Sequence, residues 1–176
     1  ARRRVEALDW VGEARVFRLL PTRVQVVVSE QVPLARWQID GRIVVIDETG
    51  QPIEQAGPTD YAQLPLVVGE GAAAPAPALL AALAAFPDVA AHVEAAQRVG
   101  ERRWTLYLDN GAQLLLPEDG GEAALAIVSR LHAERNLLNA PAELIDLRNP
   151  DRMVIRGEPA PEGTGASRAY GPGREA

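Results

Sequence analysis

The sequence predicts an α+β fold: a helix and a β-hairpin, followed by a mostly antiparallel β domain with flanking helices. Three observations carry this expectation. Val24, Val26 and Val28 alternate with Gln25, Val27 and Ser29, and β-branched residues at period two suit a half-buried strand better than a helix. Asp109-Asn110-Gly111 separates two apolar runs, Arg103 to Leu108 and Gln113 to Leu116, as a type I′ hairpin turn would. Ala123, Ala126, Ile127, Arg130, Leu131 and Glu134 are spaced by threes and fours, which is the period of one helix face.

In chain order, Arg2 to Leu8 has helical spacing, with Val5 and Leu8 three apart and Trp10 shortly after, so a helix is expected to pack on the hairpin. The hairpin runs from Trp10 to Trp37, breaks at Leu20-Pro21-Thr22, and its second strand ends where Pro33 removes a backbone donor. Asp40-Gly41 turns the chain into a strand at Ile43 to Ile46, and Asp47 to Gly50 turns it again. Leu64 to Val68 is the next apolar run. Ala78 to Ala85 is expected as a helix delayed by Pro75 and Pro77 and stopped at Phe86-Pro87, with β structure resuming from Val89. A helix follows from about Gly121 to Arg135, with Asp119 and Glu122 near its positive end and Arg130 and Arg135 near its negative end. Strand Leu144 to Arg148, a turn at Asn149-Pro150-Asp151 and a closing strand at Met153 to Ile155 complete the order. Beyond Gly157 the Pro-, Gly- and Ala-rich composition predicts disorder.

Composition narrows the function. The 176 residues hold one ordinary domain, or one medium domain and part of another. A net charge of −6 argues against a nucleic-acid partner, which needs a basic face to release counterions from phosphate. All 18 basic residues are arginine, and cysteine is absent, so disulfides, thiolate nucleophiles and cysteine-ligated metals are excluded. The Ala-rich stretch from Gly71 is cut by Pro75 and Pro77, and no run is long and apolar enough to span a bilayer.

Catalytic patterns fail one by one. Gly69-Glu70-Gly71 with Ala74 imitates a dinucleotide fingerprint, but the prolines delay the helix and no βαβ unit is expected around it. Asp47 and Glu48 form an acid pair in a turn with no base beside them. His92 and His132 lack metal-ligand spacing. Ser29, Ser129 and Ser167 have no nucleophile elbow or local histidine. The expectation is therefore no enzyme, no cofactor and no metal.

Three stretches resemble a known family. A helix ending in L-x-W-V leads to A-x-V-x-R-x-x-P-T-x-V-x-V-x-V-x-E-x-x-P-x-A-x-W, from Leu8 to Trp37. R-R-W-x-L-x-L-x-N-G-x-x-L-x-L-P follows from Arg102 to Pro117, and I-D-L-R-x-x-D-x-x-V from Ile145 to Val154. In order and spacing these resemble the bacterial cell-division family FtsQ, called DivIB in Gram-positive bacteria. The resemblance implies the C-terminal half of a POTRA domain at 1–34, an FtsQ-type β domain at 35–157 and a tail at 158–176. Since the chain opens on Ala1, it also implies a preceding cytoplasmic tail, one membrane-spanning anchor and the first half of the POTRA domain.

What the resemblance implies for function is a non-enzymatic divisome scaffold in the periplasm, anchored in the inner membrane at the septum. Its partners would be FtsB, in complex with FtsL, and other division proteins, with an FtsB segment added to the last strands of the β domain. The candidate partner-binding residues are Arg102, Arg148, Asn149, Met153, Val154 and Ile155, with Arg148 matching the arginine of the family's D-L-R motif. Trp104 is expected in the core. Asn149-Pro150 departs from the aromatic that better-known members carry after D-L-R. The alternative is a POTRA-containing component of polypeptide transport or outer-membrane assembly.

Overall fold

A computed structural model describes residues 11–19, 23–54, 56–149 and 152–157. The helix expected at Arg2 to Leu8, the break at Leu20-Pro21-Thr22, the Pro150-Asp151 part of the last turn and the tail after Gly157 lie outside them. Strands β1 (Val11–Leu19) and β2 (Arg23–Glu30) pair antiparallel as a two-stranded sheet, Val16 opposite Val26 and Phe17 opposite Gln25.

Among the described residues the main sheet has nine strands. β3 (Pro33–Ile39), β4 (Arg42–Asp47) and β5 (Pro52–Ile53) form a meander; β6 (Leu66–Val68) returns beside β3; β7 (Val93–Val99), β8 (Arg103–Leu108), β9 (Gln113–Leu115), β10 (Leu144–Asn149) and β11 (Arg152–Arg156) continue outward. The order across the sheet is β11-β10-β9-β8-β7-β6-β3-β4-β5. Pro33 opens β3 rather than only ending the strand before it. As the first residue of a strand it forfeits no interior ladder bond.

The helices correct two sequence-based expectations. Helix α1 spans Ala76–Ala84, beginning two residues before the expected Ala78, because Pro75 sits at its N-cap and Pro77 in its first turn, where a missing N–H costs nothing. Phe86-Pro87 does end α1, but Pro87 also opens a short helix α2 (Pro87–Ala90), so β structure resumes at Val93, not Val89. Helix α3 spans Gly121–Arg135 and closes on Asn136 in the left-handed conformation. A 3₁₀ turn, Leu137–Asn139, leads towards β10.

Topology corrects a third. β6 is parallel to β3 and β7, and β9 is parallel to β10, while the other five pairings are antiparallel. The sheet is mostly antiparallel, yet α1 and α2 carry the chain from β6 to β7, and α3 from β9 to β10. A βαβ unit thus does surround Gly69 and Gly71. It makes no phosphate site: Pro77 has no N–H to offer, and the Ala76 N–H is spent on the carbonyls of Ala72 and Ala73.

Period two decides what is buried. Trp104, Leu106 and Leu108 of β8, Leu114 of β9, and Ile145 and Leu147 of β10 share the core with Leu79 and Leu83 of α1, Val89 of α2 and Leu125 and Val128 of α3. Trp104 lies in the core as expected. Arg103, Thr105 and Tyr107 alternate with these residues on the opposite face of β8, where the Tyr107 hydroxyl donates to Gln97 Oε1 at 2.6 Å.

Two turns exchange roles relative to expectation. Asp40 and Gly41 both take positive φ (50° and 73°), as a type I′ turn requires. At Asn110-Gly111 only the glycine does, with φ of 83°. The Asn110 side chain instead accepts from the Ala112 N–H at 3.0 Å and donates to the Leu138 carbonyl at 2.7 Å, tying the hairpin to the 3₁₀ turn. Asp47 organises the β4–β5 turn: its Oδ1 accepts from the Thr49 amide and hydroxyl and from the Gln51 amide at 2.7 to 2.9 Å. Gly50 closes that turn, since a Cβ there would lie 2.5 Å from the Ala73 carbonyl oxygen.

Candidate partner-binding edge

The nine-stranded sheet ends in two unlike edges. β5 is two residues long and begins with proline, which cannot donate to a ladder, and a short proline-bearing edge is a poor template for a further strand. β11 is five residues long, and Val154 and Ile155 on it are 36% and 48% exposed. It pairs antiparallel with β10, Asp146 opposite Val154 and Ile145 opposite Ile155, with a register irregularity between Asp146 and Asn149.

Strand alternation gives this edge two faces. On the helix face, a groove of about 550 Å³ runs between the start of α3 and the outer strands. Ala123, Ile127, Leu147 and Met153 give it an apolar floor; Glu118, Asp119, Arg148 and Arg152 stand at its rim. On the opposite face, β9 stops at Leu115, so Arg103 of β8 looks across to β10. The resulting hollow, about 240 Å³, is lined by Arg103, Asp146, Arg148, Asn149, Arg152 and Val154.

Asp146 and Arg148 are locked together. Arg148 Nε donates to Asp146 Oδ1 at 2.9 Å and its terminal nitrogen to Oδ2 at 2.6 Å, while the Arg148 amide also donates to Oδ1 at 3.0 Å. This is a bidentate fork with a backbone bond added. The hydrogen bond from Arg148, opposed by partial burial and assisted by the nearby charge of Arg103, holds the Asp146 carboxyl below its usual range; the same pair raises the Arg148 guanidinium.

The sequence-derived site residues fall into two places. Arg148, Asn149, Met153 and Val154 meet around the end of β10 and β11, and Ile155 follows on the same edge strand. Arg102 does not enter the hollow. It lies in the β7–β8 turn with 60% of its side chain exposed, its Nε 3.9 Å from Glu118 Oε2, a residue of the helix-side groove whose lining Arg102 itself does not join. Sequence reading missed Arg103 and Arg152 as members of this site. The available signal was period two: Arg103 alternates with core Trp104, and Arg152 with Met153.

Several other polar groups pair with one another away from this edge. Asp88 accepts from Ser129 Oγ at 2.7 Å between α2 and α3; His92 Nδ1 lies 3.0 Å from Asp109 Oδ2; His132 Nδ1 accepts from the Leu138 amide at 3.2 Å, and the two imidazoles meet edge to face. Among the described residues no cluster of three His, Asp or Glu side chains could hold a metal ion. No helix among them is long and apolar enough to cross a membrane.

Acid should loosen the domain. Burial pushes the Asp47 carboxyl up, but hydrogen bonds from Thr49, Gln51 and Gln31 together outweigh it and leave the carboxyl below its usual 3.8. Asp146 is lowered as well. A carboxyl depressed by folding stabilises the native state above its unfolded pKa, and that contribution is lost as pH falls through the folded value. Urea unfolding should therefore show stability flat near neutrality and falling below about pH 4. Asp47→Asn should lower stability at pH 7 and flatten the acid slope; an unchanged slope would remove Asp47 from the account.

At β11 the sheet thus presents an exposed edge with an apolar groove on one side and a cationic hollow on the other. Comparison with known proteins gives the family. Residues 35–148 match the C-terminal family of the cell division protein FtsQ/DivIB. The cell division protein FtsQ of Caulobacter vibrioides is 41% identical over 169 residues, 92% of this chain and 56% of that protein. FtsQ of Hirschia baltica is 39% identical over 156 residues, 86% and 53% of the two chains. FtsQ of Rhizobium radiobacter is 34% identical over 156 residues, 89% and 74% of the two. A solved structure, the major extracytoplasmic domain of DivIB from Geobacillus stearothermophilus, aligns with a TM-score of 0.42 at 18% identity over 64% of this chain and 98% of that one. The chain belongs to the FtsQ/DivIB family of cell-division proteins, and it spans about half the length of the Caulobacter and Hirschia relatives.

Proposed function

We propose that this chain is the periplasmic part of a non-enzymatic divisome scaffold that binds FtsB, in complex with FtsL, by adding an FtsB segment to β11. The observation that carries the reading is the longer edge of the sheet, β11, which no strand among the described residues pairs on its outer side, with Val154 and Ile155 exposed on it. Main-chain hydrogen bonds supply the affinity in such an addition, and the side chains beside them the selectivity. Arg148, Asn149, Met153, Val154 and Ile155 form the receiving edge and Arg102 its outer rim. In this reading residues 1–34 are the C-terminal half of a POTRA domain, 35–157 the β domain and 158–176 a tail, and the whole protein is anchored in the inner membrane at the septum.

The test is calorimetric titration of the chain with soluble extracytoplasmic segments of FtsB and FtsL from the same organism. Saturable binding that is lost when β11 is blocked is the expected result. Binding that survives a blocked edge would overturn it. Arg148→Glu should weaken the complex by about 2 kcal/mol, because it breaks the fork with Asp146 and sets two carboxylates together at the edge. Full affinity in the folded variant would remove Arg148 from the interface.

A further inference from the structure

We infer that a second apolar hollow, at the junction of the two sheets, is filled by this chain's own Leu8-Asp9-Trp10 segment, with the indole of Trp10 as the plug. The hairpin and the nine-stranded sheet are thereby joined into one stiff arm.

The hollow, about 410 Å³, lies over the starts of the parallel strands β3, β6 and β7 and beneath the ends of α1 and α2. Leu34, Leu66, Leu80, Leu83 and Val93 give it apolar walls, and among the described residues that line it Glu94 alone is charged. Leu34, Leu80 and Val93 pack against the core on one side and stay half-buried. Water in such a hollow is unfavourable, and a large apolar side chain that displaces it gains free energy.

Position and chemistry choose the occupant. Gln31 and Val32 are the whole connection from β2 to β3, and Val32 is 47% exposed. β1 opens at Val11, opposite Glu30. Trp10 therefore meets the hairpin where β2 hands the chain to β3, about 5 Å across from the residues that lead into Leu34. Leu8 and Trp10 bring two large apolar side chains to this point, and Arg2, Arg3 and Arg4 before them are cations that Glu94 attracts. Residues 158–176 fit less well. They follow β11, four strands and about 19 Å away from β7. Their first stretch, Glu158-Pro159-Ala160-Pro161-Glu162, has no large apolar side chain and would set two carboxylates towards Glu94.

A two-stranded ribbon alone is marginal in water. Seating Trp10 gives β1 and β2 a share in the main core and bridges the two-residue connection a second time. The direction of the hairpin is then fixed relative to the β11 edge at the other side of the sheet.

The test uses the whole chain, whose lack of cysteine lets a single introduced thiol report alone. Ala84 lines the hollow and is exposed among the described residues; Ala81, on the same helix, is exposed and does not line it. Ala84→Cys should react with a maleimide about tenfold more slowly than Ala81→Cys, and adding Trp10→Ala should remove that difference with an unchanged circular dichroism spectrum. Leu80→Gln, which makes one wall polar and leaves the hairpin untouched, should render tryptophan emission more quenchable by acrylamide, and adding Trp10→Phe should abolish the increase. This second readout decides the matter if Trp10→Ala does not fold. Equal rates for the two thiols would overturn the inference, as would unchanged quenching in Leu80→Gln. Protection that survives Trp10→Ala in the folded chain would overturn it too, and its release by deleting 158–176 or by dilution would assign the hollow to the tail or to a second copy.

Discussion

Leu114→Ala should lower the unfolding free energy by about 3 kcal/mol, near the lower end of the range for a leucine emptied from a closed core. Leu114 is fully buried at the middle of β9, with Leu106 of β8 opposite on one side and Ile145 of β10 on the other. All three are fully excluded from solvent beneath the helices, so the row has no surface from which water could refill the space. β9 is also only three residues long, so its place between two longer strands owes more to this side chain than to its few ladder bonds. Urea unfolding followed by circular dichroism measures the change, which corresponds to a melting point lower by roughly 6 to 12 °C. Ile127→Ala, at a position 36% exposed on α3, is the comparison and should cost under about 1 kcal/mol. Equal losses at the two positions would mean that the helices do not seal the row.

Ile155→Lys should weaken the FtsB and FtsL complex by about 2 kcal/mol or more, roughly thirtyfold, and leave the fold unchanged. Ile155 is nearly half exposed on the outermost strand, so the substitution removes little core packing. A lysine on an edge is a device by which proteins keep foreign strands away, because side chains of the added strand would crowd its charge on the apolar face it shares with Met153. Calorimetry reads the affinity, and circular dichroism with urea unfolding reads the fold. Unaltered affinity in a folded variant would move docking off β11.

Most of the elements were legible in the sequence because their signals are local. The alternation of Trp104, Leu106 and Leu108, the spacing from Ala123 to Glu134 and the glycine after Asn110 each act within a few residues. What was hidden depends on partners far along the chain. Pro77 reads as a barrier until one knows that it occupies a first turn, where its missing N–H is no loss. The parallel pairing of β6 with β7, and of β9 with β10, is set by helices laid over one face, and no local pattern states which way a returning strand runs. Arg148 and its motif were visible at the candidate edge. The entry of Arg103 into the hollow beside it required β9 to stop short, a fact of the sheet rather than of the segment.

The open strand also bears on crowding between copies. Two β11 strands meeting antiparallel about Val154 would set Arg152 of each against Arg156 of the other, so both ends of such a symmetric pair would bring like charges face to face. At the far side, the two-residue β5 with its proline gives a neighbouring molecule almost nothing to continue. The sheet is therefore asymmetric in its stickiness: poor at joining itself into dimers or chains, and exposed on one side at β11. Many copies can therefore stand close together without fusing into fibres, each with its β11 edge still exposed.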